Sequence, residues 1–466
     1  MKLYNSLTRK VEEVKPINEG KVGIYTCGPT VYDYASIGNF RTYTTADILV
    51  RTLKYLGYEV DYIMNLTDVG HLTGDNEGDA DIGEDRMEKG AKREGKTAWD
   101  VANFYSEAFF EDFITLNLTK PKVFAKATEH IKEQVSLVKE IEEKGFTYKT
   151  SDGIYFDTEK FEKETGKVYG EISDLDEIKE GARVEPNLEK KNPRDFALWK
   201  FSKVPGERHM EWESPWGLGF PGWHIECSAM SMKYLGETFD IHIGGEDLKQ
   251  THHPNEIAQS EAATGKPFVN YWVHGAFLKV DGKRMGKSLG NAFSIGQIAE
   301  KGYDPLALRY FYMSGNYRTV LNFTWQALDS AENALKRLRN FVIEHKSEKS
   351  QKRTELSPEK LDKVNKFRKE FENYISDDLK LPQALAVVWE VVKSNIPDYD
   401  KLELILSFDE VLGLNLKNYE EKANPEIEKL LFERESLRQE GKYSEADAIR
   451  ERLKEEFGWQ VRDNKN

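Results

Sequence analysis

The stretch Val22-Gly23-Ile24-Tyr25-Thr26-Cys27-Gly28-Pro29-Thr30 leads into Ser36-Ile37-Gly38-Asn39, then a run from Thr42 to Leu56, then Val60-Asp61-Tyr62-Ile63-Met64-Asn65-Leu66. The first segment is short, apolar and β-branched, and it breaks at a Cys-Gly-Pro-Thr turn, which predicts a strand and its stop. From Thr42 to Leu56 the apolar residues Ala46, Leu49, Val50 and Leu53 recur at three-four spacing, the period of a helix. Val60 to Leu66 reads as a second strand that ends at Thr67-Asp68. Strand, glycine turn, helix and strand in this order predict one half of a doubly wound, Rossmann-type parallel α/β sheet. Ligands bind such sheets at the carboxyl ends of the strands, where Cys27 and Thr67 lie. Gly38 lets the backbone approach a phosphate near a helix N-terminus, although a lone glycine also serves an ordinary turn.

A second informative stretch runs from Pro221 to Glu256. It holds Pro-Gly-Trp-His-Ile-Glu-Cys-Ser-Ala-Met at 221–230, Asp-Ile-His-Ile-Gly-Gly-Glu-Asp-Leu at 240–248 and Thr-His-His-Pro-Asn-Glu at 251–256. His252 and Glu256 are four residues apart and so share one helix face. With Cys227 and the distant Cys27 they form a four-donor set of mixed softness that suits zinc. By spacing alone, two small buried thiols beside a His and a Glu on a solvated helix explain the same residues equally well.

Bulk properties set the frame. The 466 residues are 39% hydrophobic and 32% charged, which suits a soluble protein of several domains. No apolar run approaches the ~18 residues of a membrane span, and the first residues lack the apolar core of a signal peptide. Two cysteines in the whole chain point to a cytoplasmic location. The formal charge of −14 argues against attraction of nucleic acid by the whole surface, so an RNA partner needs a local patch.

Tyr-Thr-Cys-Gly-Pro-Thr-Val-Tyr-Asp-Tyr at 25–34, Pro-Gly-Trp-His-Ile-Glu-Cys-Ser-Ala-Met at 221–230 and His-His-Pro-Asn-Glu at 252–256 resemble the cysteinyl-tRNA synthetases, a class I aminoacyl-tRNA synthetase family. The resemblance covers nearly the whole chain. It implies a catalytic domain split by an insertion, with its first half at 1–120, the connective insertion at 121–200 and the second half at 201–300. A stem-contact region at 301–326, an all-α helical bundle at 327–420 and a small anticodon-contacting module at 421–466 then follow. Helical periodicity from Ala327, and Ser357-Pro358 as a helix start, agree with a bundle. The last segment carries 10 basic and 12 acidic residues, so it is no basic tail.

The resemblance further implies the reaction and its residues. L-Cysteine attacks ATP to give cysteinyl-adenylate, and the cysteinyl group then passes to the 3′ end of cysteine tRNA. Cys27, Cys227, His252 and Glu256 would hold one Zn2+ per chain, and ATP would bring Mg2+. Lys287 would stabilise the departing pyrophosphate, with Ser36, Gly38 and Asn39 beside the triphosphate. Arg284 and Ser288 belong to the same glycine-containing loop, and Gly245 and Asp247 would hold the adenosine. Thr67 and Trp223 would line the cysteine pocket. A monomer with no membrane partner is expected. Two departures stand out: Ser36 replaces the first His of the family's His-Ile-Gly-Asn, and Arg284-Met285-Gly286-Lys287-Ser288 replaces Lys-Met-Ser-Lys-Ser. Two rivals follow, a cysteine ligase acting on an amino sugar in the mycothiol pathway and a catalytically impaired zinc- and tRNA-binding paralogue.

Overall fold

In the computed structural model, which describes residues 1–70, 72, 85–173, 188–286, 289–346, 355–419 and 425–457, five parallel strands make the central sheet. The chain opens with the hairpin β1 (Lys2–Asn5) and β2 (Lys10–Glu13), followed by β3 (Lys21–Thr26), α1 (Ile37–Tyr55) and β4 (Glu59–Leu66). Next come α2 (Arg86–Glu94), α3 (Ala98–Thr115), β5 (Val123–Lys126) and α4 (Ile131–Glu143). β6 (Thr147–Lys149), β7 (Gly153–Phe156), α5 (Thr158–Thr165), β8 (Phe196–Phe201) and β9 (Gly219–Pro221) lead to α6 (Trp223–Leu235). Then follow β10 (Phe239–Gly245), α7 (His252–Thr264), β11 (Val269–Gly275), β12 (Leu278–Val280) and β13 (Lys283–Arg284). After α8 (Ile295–Glu300), α9 (Pro305–Met313) and β14 (Leu321–Phe323), the rest is helical.

The sheet order is β11-β10-β3-β4-β5, all parallel. The chain therefore winds outward from β3 in one direction and from β10 in the other, which makes the β3–β10 seam the topological switch point. β5 pairs with β4 at the edge of this sheet although it falls within the 121–200 span expected for the insertion. A second, antiparallel sheet has the order β6-β7-β8-β9, and its last strand, past the 121–200 span expected for the insertion, ends two residues before α6.

α1 begins at Ile37, not near Thr42, because Ser36 caps it. The Ser36 hydroxyl accepts the Asn39 N–H at 3.3 Å and donates to Asn39 Oδ1 at 2.7 Å, and the same Oδ1 accepts the Ser36 N–H at 2.9 Å. This reciprocal cap satisfies donors that a helix start leaves open. α1 is buried along most of its length, through Phe40, Leu49 and Leu53 among others. Burying each such side chain contributes about 1.5–3 kcal/mol. α6 and α7 lie between two cores. Cys227 and Met230 pack with the central sheet, while Ile225, Ala229, Ala258 and Ala262 pack with Phe156, Phe196 and Trp199 of the insertion.

The helical region contains α10 (Trp325–His345), α11 (Pro358–Ser376), α12 (Leu381–Lys393) and α13 (Asp398–Leu412). Ser357 caps α11 by accepting from the Lys360 N–H, with Pro358 at the first helical position as the sequence predicts. The buried Arg309 of α9 pairs with Asp47 of α1 and donates to the Leu412 carbonyl at 2.6 Å and the Leu116 carbonyl at 3.2 Å. Residues 417–466 form a compact unit of their own, the helical hairpin α14 (Pro425–Gln439) and α15 (Tyr443–Phe457). Among the described residues no helix is long and apolar enough to cross a membrane.

Candidate active site and metal centre

The switch point gathers the four metal-ligand candidates. Cys27 follows β3, and its N–H continues the ladder by bonding the Ile243 carbonyl of β10 at 3.0 Å. Gly28 is required next to it, since a Cβ there would lie 1.8 Å from the Asn65 carbonyl oxygen. Cys227 lies on α6, one turn after Trp223, and His252 and Glu256 occupy the first two turns of α7. All four are buried, and their ligand atoms lie within 4.8 Å of one another. His252 Nε2 is 3.0 Å from Glu256 Oε1, as the four-residue spacing predicts.

The electrostatics are those of a set built around a cation. Burial alone would raise Cys227, but the Cys27 thiol and the His252 imidazole bring it below the usual thiol value. Burial and the neighbouring Cys227 push Cys27 well up. Burial opposes the charge on His252, yet Glu256 and Cys227 raise it to about 10. Glu256, against its own desolvation, is lowered to about 2 by His242 and His252. Two thiols, an imidazole and a carboxylate in one dry cluster are a donor set that suits zinc.

Behind this set lie histidines that the sequence reading did not assign. His242 Nε2 is 2.9 Å from Glu256 Oε2 and fixes the carboxylate from the far side, the orienting role that outer partners of metal ligands perform. His253 Nε2 lies 3.5 Å from Cys27 Sγ, and its Nδ1 is 2.7 Å from His274 Nε2, whose Nδ1 in turn is 2.8 Å from the Ser6 hydroxyl. Burial holds both His253 and His274 well below the usual imidazole range, so this relay is neutral. His224 Nδ1 stands 3.0 Å from His252 Nδ1. The only local signal for any of these was the doubled His252-His253.

Thr67 and Trp223 both come to the same place. Thr67 Oγ1 accepts from Asn65 Nδ2 at 3.1 Å, and Asn65 Oδ1 accepts the Gly28 N–H at 2.8 Å, so the residue is locked beside the Cys27 turn. The Trp223 ring lies 4.4 Å, centroid to centroid, from the His252 ring.

The candidate nucleotide-binding residues gather around the start of α1. A Cβ on Gly38 would meet Met285 Sδ at 3.1 Å, so Met285 of the 284–291 loop packs over the first turn of α1. The chain after that loop zips onto the same turn: the Ile37 N–H bonds the Phe293 carbonyl at 2.8 Å, and Ser36 bridges Ser294. Asn291 closes the loop base, donating to the Arg284 carbonyl at 3.0 Å and accepting the Gly286 N–H at 2.9 Å. Arg284 is exposed on β13, and Lys287 and Ser288 lie outside the described residues. Gly245 ends β10, and a Cβ on it would stand 2.4 Å from Asp247 Oδ1. Asn39 is exposed at the same helix start.

Arg41, not singled out from the sequence, supports this arrangement from below. Its guanidinium is buried and donates to the carbonyls of Ala276 at 2.8 Å, Phe277 at 2.7 Å, Asn316 at 3.1 Å and Thr319 at 2.6 Å. Those residues flank β12 and β14, the strands that carry the β12–β13 hairpin.

The class I catalytic domain model for cysteine, described as tRNA synthetases class I (C) catalytic domain, matches residues 13–333. The cysteine–tRNA ligase 1 of Burkholderia lata is 46% identical over 467 residues, covering 99% of this chain and 94% of its own. The cysteine–tRNA ligase of Treponema denticola is 44% identical, covering 97% of this chain and 96% of its own, and that of Methanococcus maripaludis is 41% identical, covering 100% and 97%. The methionyl-tRNA synthetase of Mycobacterium tuberculosis in complex with methionyl-adenylate aligns with a TM-score of 0.59 over 84% of this chain and 90% of that one. At 13% identity this shows the fold alone. A family match over most of the chain, and relatives matched from end to end, establish that the chain belongs to the cysteine–tRNA ligase family of class I aminoacyl-tRNA synthetases.

Proposed function

We propose that this protein activates L-cysteine with ATP to cysteinyl-adenylate and transfers the cysteinyl group to the 3′ end of cysteine tRNA. The observation that carries the reading is the buried set Cys27, Cys227, His252 and Glu256 at the switch point of the sheet. Zinc held by these four residues would supply a Lewis acid that favours a thiolate over a serine hydroxyl, which would make an editing step unnecessary. Thr67 and Trp223 flank the cysteine. Gly38 and Asn39 present backbone and side-chain donors to the triphosphate at the start of α1, where the helix favours negative charge. Gly245 and Asp247 hold the adenosine, and Arg284, Lys287 and Ser288 supply charge and a hydroxyl to the phosphates that leave with Mg2+. Chemistry of this kind rests on positioning and charge neutralisation rather than on a covalent nucleophile.

Ser36 acts here as the helix cap, which keeps Gly38 and Asn39 in place without offering an imidazole to ATP. The four helices after β14, and the separate unit beyond residue 416, favour a tRNA acceptor over an amino sugar. The test is cysteine-dependent ATP–pyrophosphate exchange with serine as control, with zinc assayed on the same sample. Exchange with cysteine alone, on protein holding about one zinc per chain, is the expected result. Bound zinc without exchange would reject the ligase reading in favour of an impaired paralogue.

A further inference from the structure

One ionisable group in the pocket is left unused by the chemistry above. Glu226 has no exposed surface, and neither carboxylate oxygen closes a hydrogen bond among the described residues. An uncompensated buried carboxylate is costly, so such a group either holds its proton or meets a cation brought by a ligand. The spacing shows where it points. Trp223, Glu226 and Cys227 stand at i, i+3 and i+4 on α6 and so share a face. Trp223 stacks near His252, and Cys227 belongs to the metal set, so this face lines the cysteine pocket.

The surroundings of Glu226 define what is missing. Burial, then the neighbouring Cys227 and Asp68, disfavour its charged form, while the Thr67 hydroxyl and His252 favour it. Asp68 is already engaged, accepting the Thr128 N–H at 2.9 Å and the Thr128 hydroxyl at 2.7 Å. Thr67 Oγ1 accepts from Asn65, so its own proton remains available to turn toward Glu226 or toward a ligand. On the other side Gly70, at a φ of +73°, brings backbone against the carboxyl: a Cβ there would lie 3.2 Å from Glu226 Oε1 and 2.6 Å from the Pro221 carbonyl oxygen. The carboxyl is thus walled in by backbone on one side and faces the Thr67 edge of the pocket on the other.

We propose that Glu226, together with the Thr67 hydroxyl, receives the primary ammonium group of the amino-thiol substrate. This rests on the cysteine-activating reading above. The metal set selects the thiol at one end of the ligand, and Glu226 selects the ammonium at the other. A thiol lacking that ammonium satisfies the first and leaves Glu226 buried and unpaired.

The test uses the zinc-loaded full chain. Pyrophosphate exchange is run on wild type, Glu226→Gln and Glu226→Asp, with zinc content measured on each. Cysteamine and 2-mercaptoethanol, which differ only in ammonium against hydroxyl, are compared as inhibitors. Wild type is expected to prefer cysteamine. In Glu226→Gln the KM for cysteine rises about ten- to hundredfold, the range of one charged hydrogen bond, while kcat changes little and zinc is retained. The preference for cysteamine falls by a similar factor, and Glu226→Asp recovers part of it. Absence of a cysteamine preference in wild type overturns the proposal whatever the variants do. A Glu226→Gln enzyme with zinc and an unchanged KM overturns it as well. Loss of zinc from that variant would assign Glu226 to the support of Cys227 instead. If wild type shows no cysteine-dependent exchange, the parent reading fails, which these outcomes separate from failure of the Glu226 assignment alone.

Discussion

Arg41→Met should uncouple the helix that starts at the nucleotide site from the hairpin that carries Arg284. The guanidinium donates to four carbonyls at 2.6–3.1 Å, and desolvation lowers its pKa to about 10. Methionine fills the same space but leaves those carbonyls without donors. The Ala276 carbonyl lies in a fully buried contact, so its loss costs about 1–3 kcal/mol. The other three are partly buried, water can replace part of each bond, and about 0.5–1 kcal/mol apiece is reasonable. Removing a buried charge returns some of this, so the net is about 3 kcal/mol.

The functional consequence is specific. β12 pairs with β13 and β14, and Arg41 pins both the exit of β11 and the turn before β14. Without it the 284–291 loop loses its fixed base over Gly38. Pyrophosphate exchange should fall at least tenfold in kcat, about 1.4 kcal/mol at the transition state. The KM for cysteine and the zinc content should stay near wild type, because the Arg41 guanidinium bonds carbonyls around β12 and β14 and none of the four metal-ligand candidates. Arg41→Lys should recover little, since one ammonium cannot span four separated acceptors. Denaturation midpoints and exchange kinetics on the three proteins decide the matter. Equal kcat in Arg41→Met and wild type would refute the coupling, whatever the loss of stability.

Ser36→Ala removes the α1 cap at a cost of about 1 kcal/mol, and exchange should slow about fivefold through a higher KM for ATP, while Ser36→Thr stays close to wild type. Identical kinetics for Ser36→Ala would mean the cap has no bearing on ATP. Asp47→Asn leaves the buried Arg309 without its carboxylate and should cost about 3–5 kcal/mol, whereas Arg309→Met leaves Asp47 paired with Arg51 and should cost less, with the double variant losing less than the sum in a denaturant titration. Asp112 is raised to about 7 by burial and by Glu111, so its folded form holds a proton more tightly than the unfolded chain does. Stability from this group is full at low pH and is lost as pH climbs through about 7. Asp112→Asn should therefore gain on wild type progressively between about pH 4 and pH 7 and hold a constant advantage above that, and a constant difference in melting temperature across about pH 4 to 7 would show that Asp112 does not titrate in this window.

Local pattern carried the parts of this site that obey a local period. The strands Lys21–Thr26 and Glu59–Leu66 follow from short β-branched runs, and His252 with Glu256 follows from one helical turn. Glu226 was legible by the same rule, because 223, 226 and 227 share a face. What the spacing does not carry is burial, and a buried acid is recognised only by the partners it lacks. The start of α1 was misplaced for a similar reason: its cap pairs Ser36 with Asn39, a residue shared by turns, and the apolar period begins only inside the helix. Arg41 lies beyond any such rule. An arginine in an amphipathic segment reads as solvent-facing until the fold brings four carbonyls to it from more than 230 positions away. The histidines depend on register in the same way. β10 pairs with β3 so that Ile243 faces Thr26, and that single offset sets Cys27 against α7. Side chains alternate along a strand, so a slip of one residue would turn His242 away from Glu256 and break the set. The apolar residues at 239, 241 and 243 oppose that slip, since it would exchange three packed apolar side chains with the polar Asp240 and His242 on the other buried face. The core thus fixes the position of the metal ligands, and the hydrophobic alternation along β10 is part of the catalytic design.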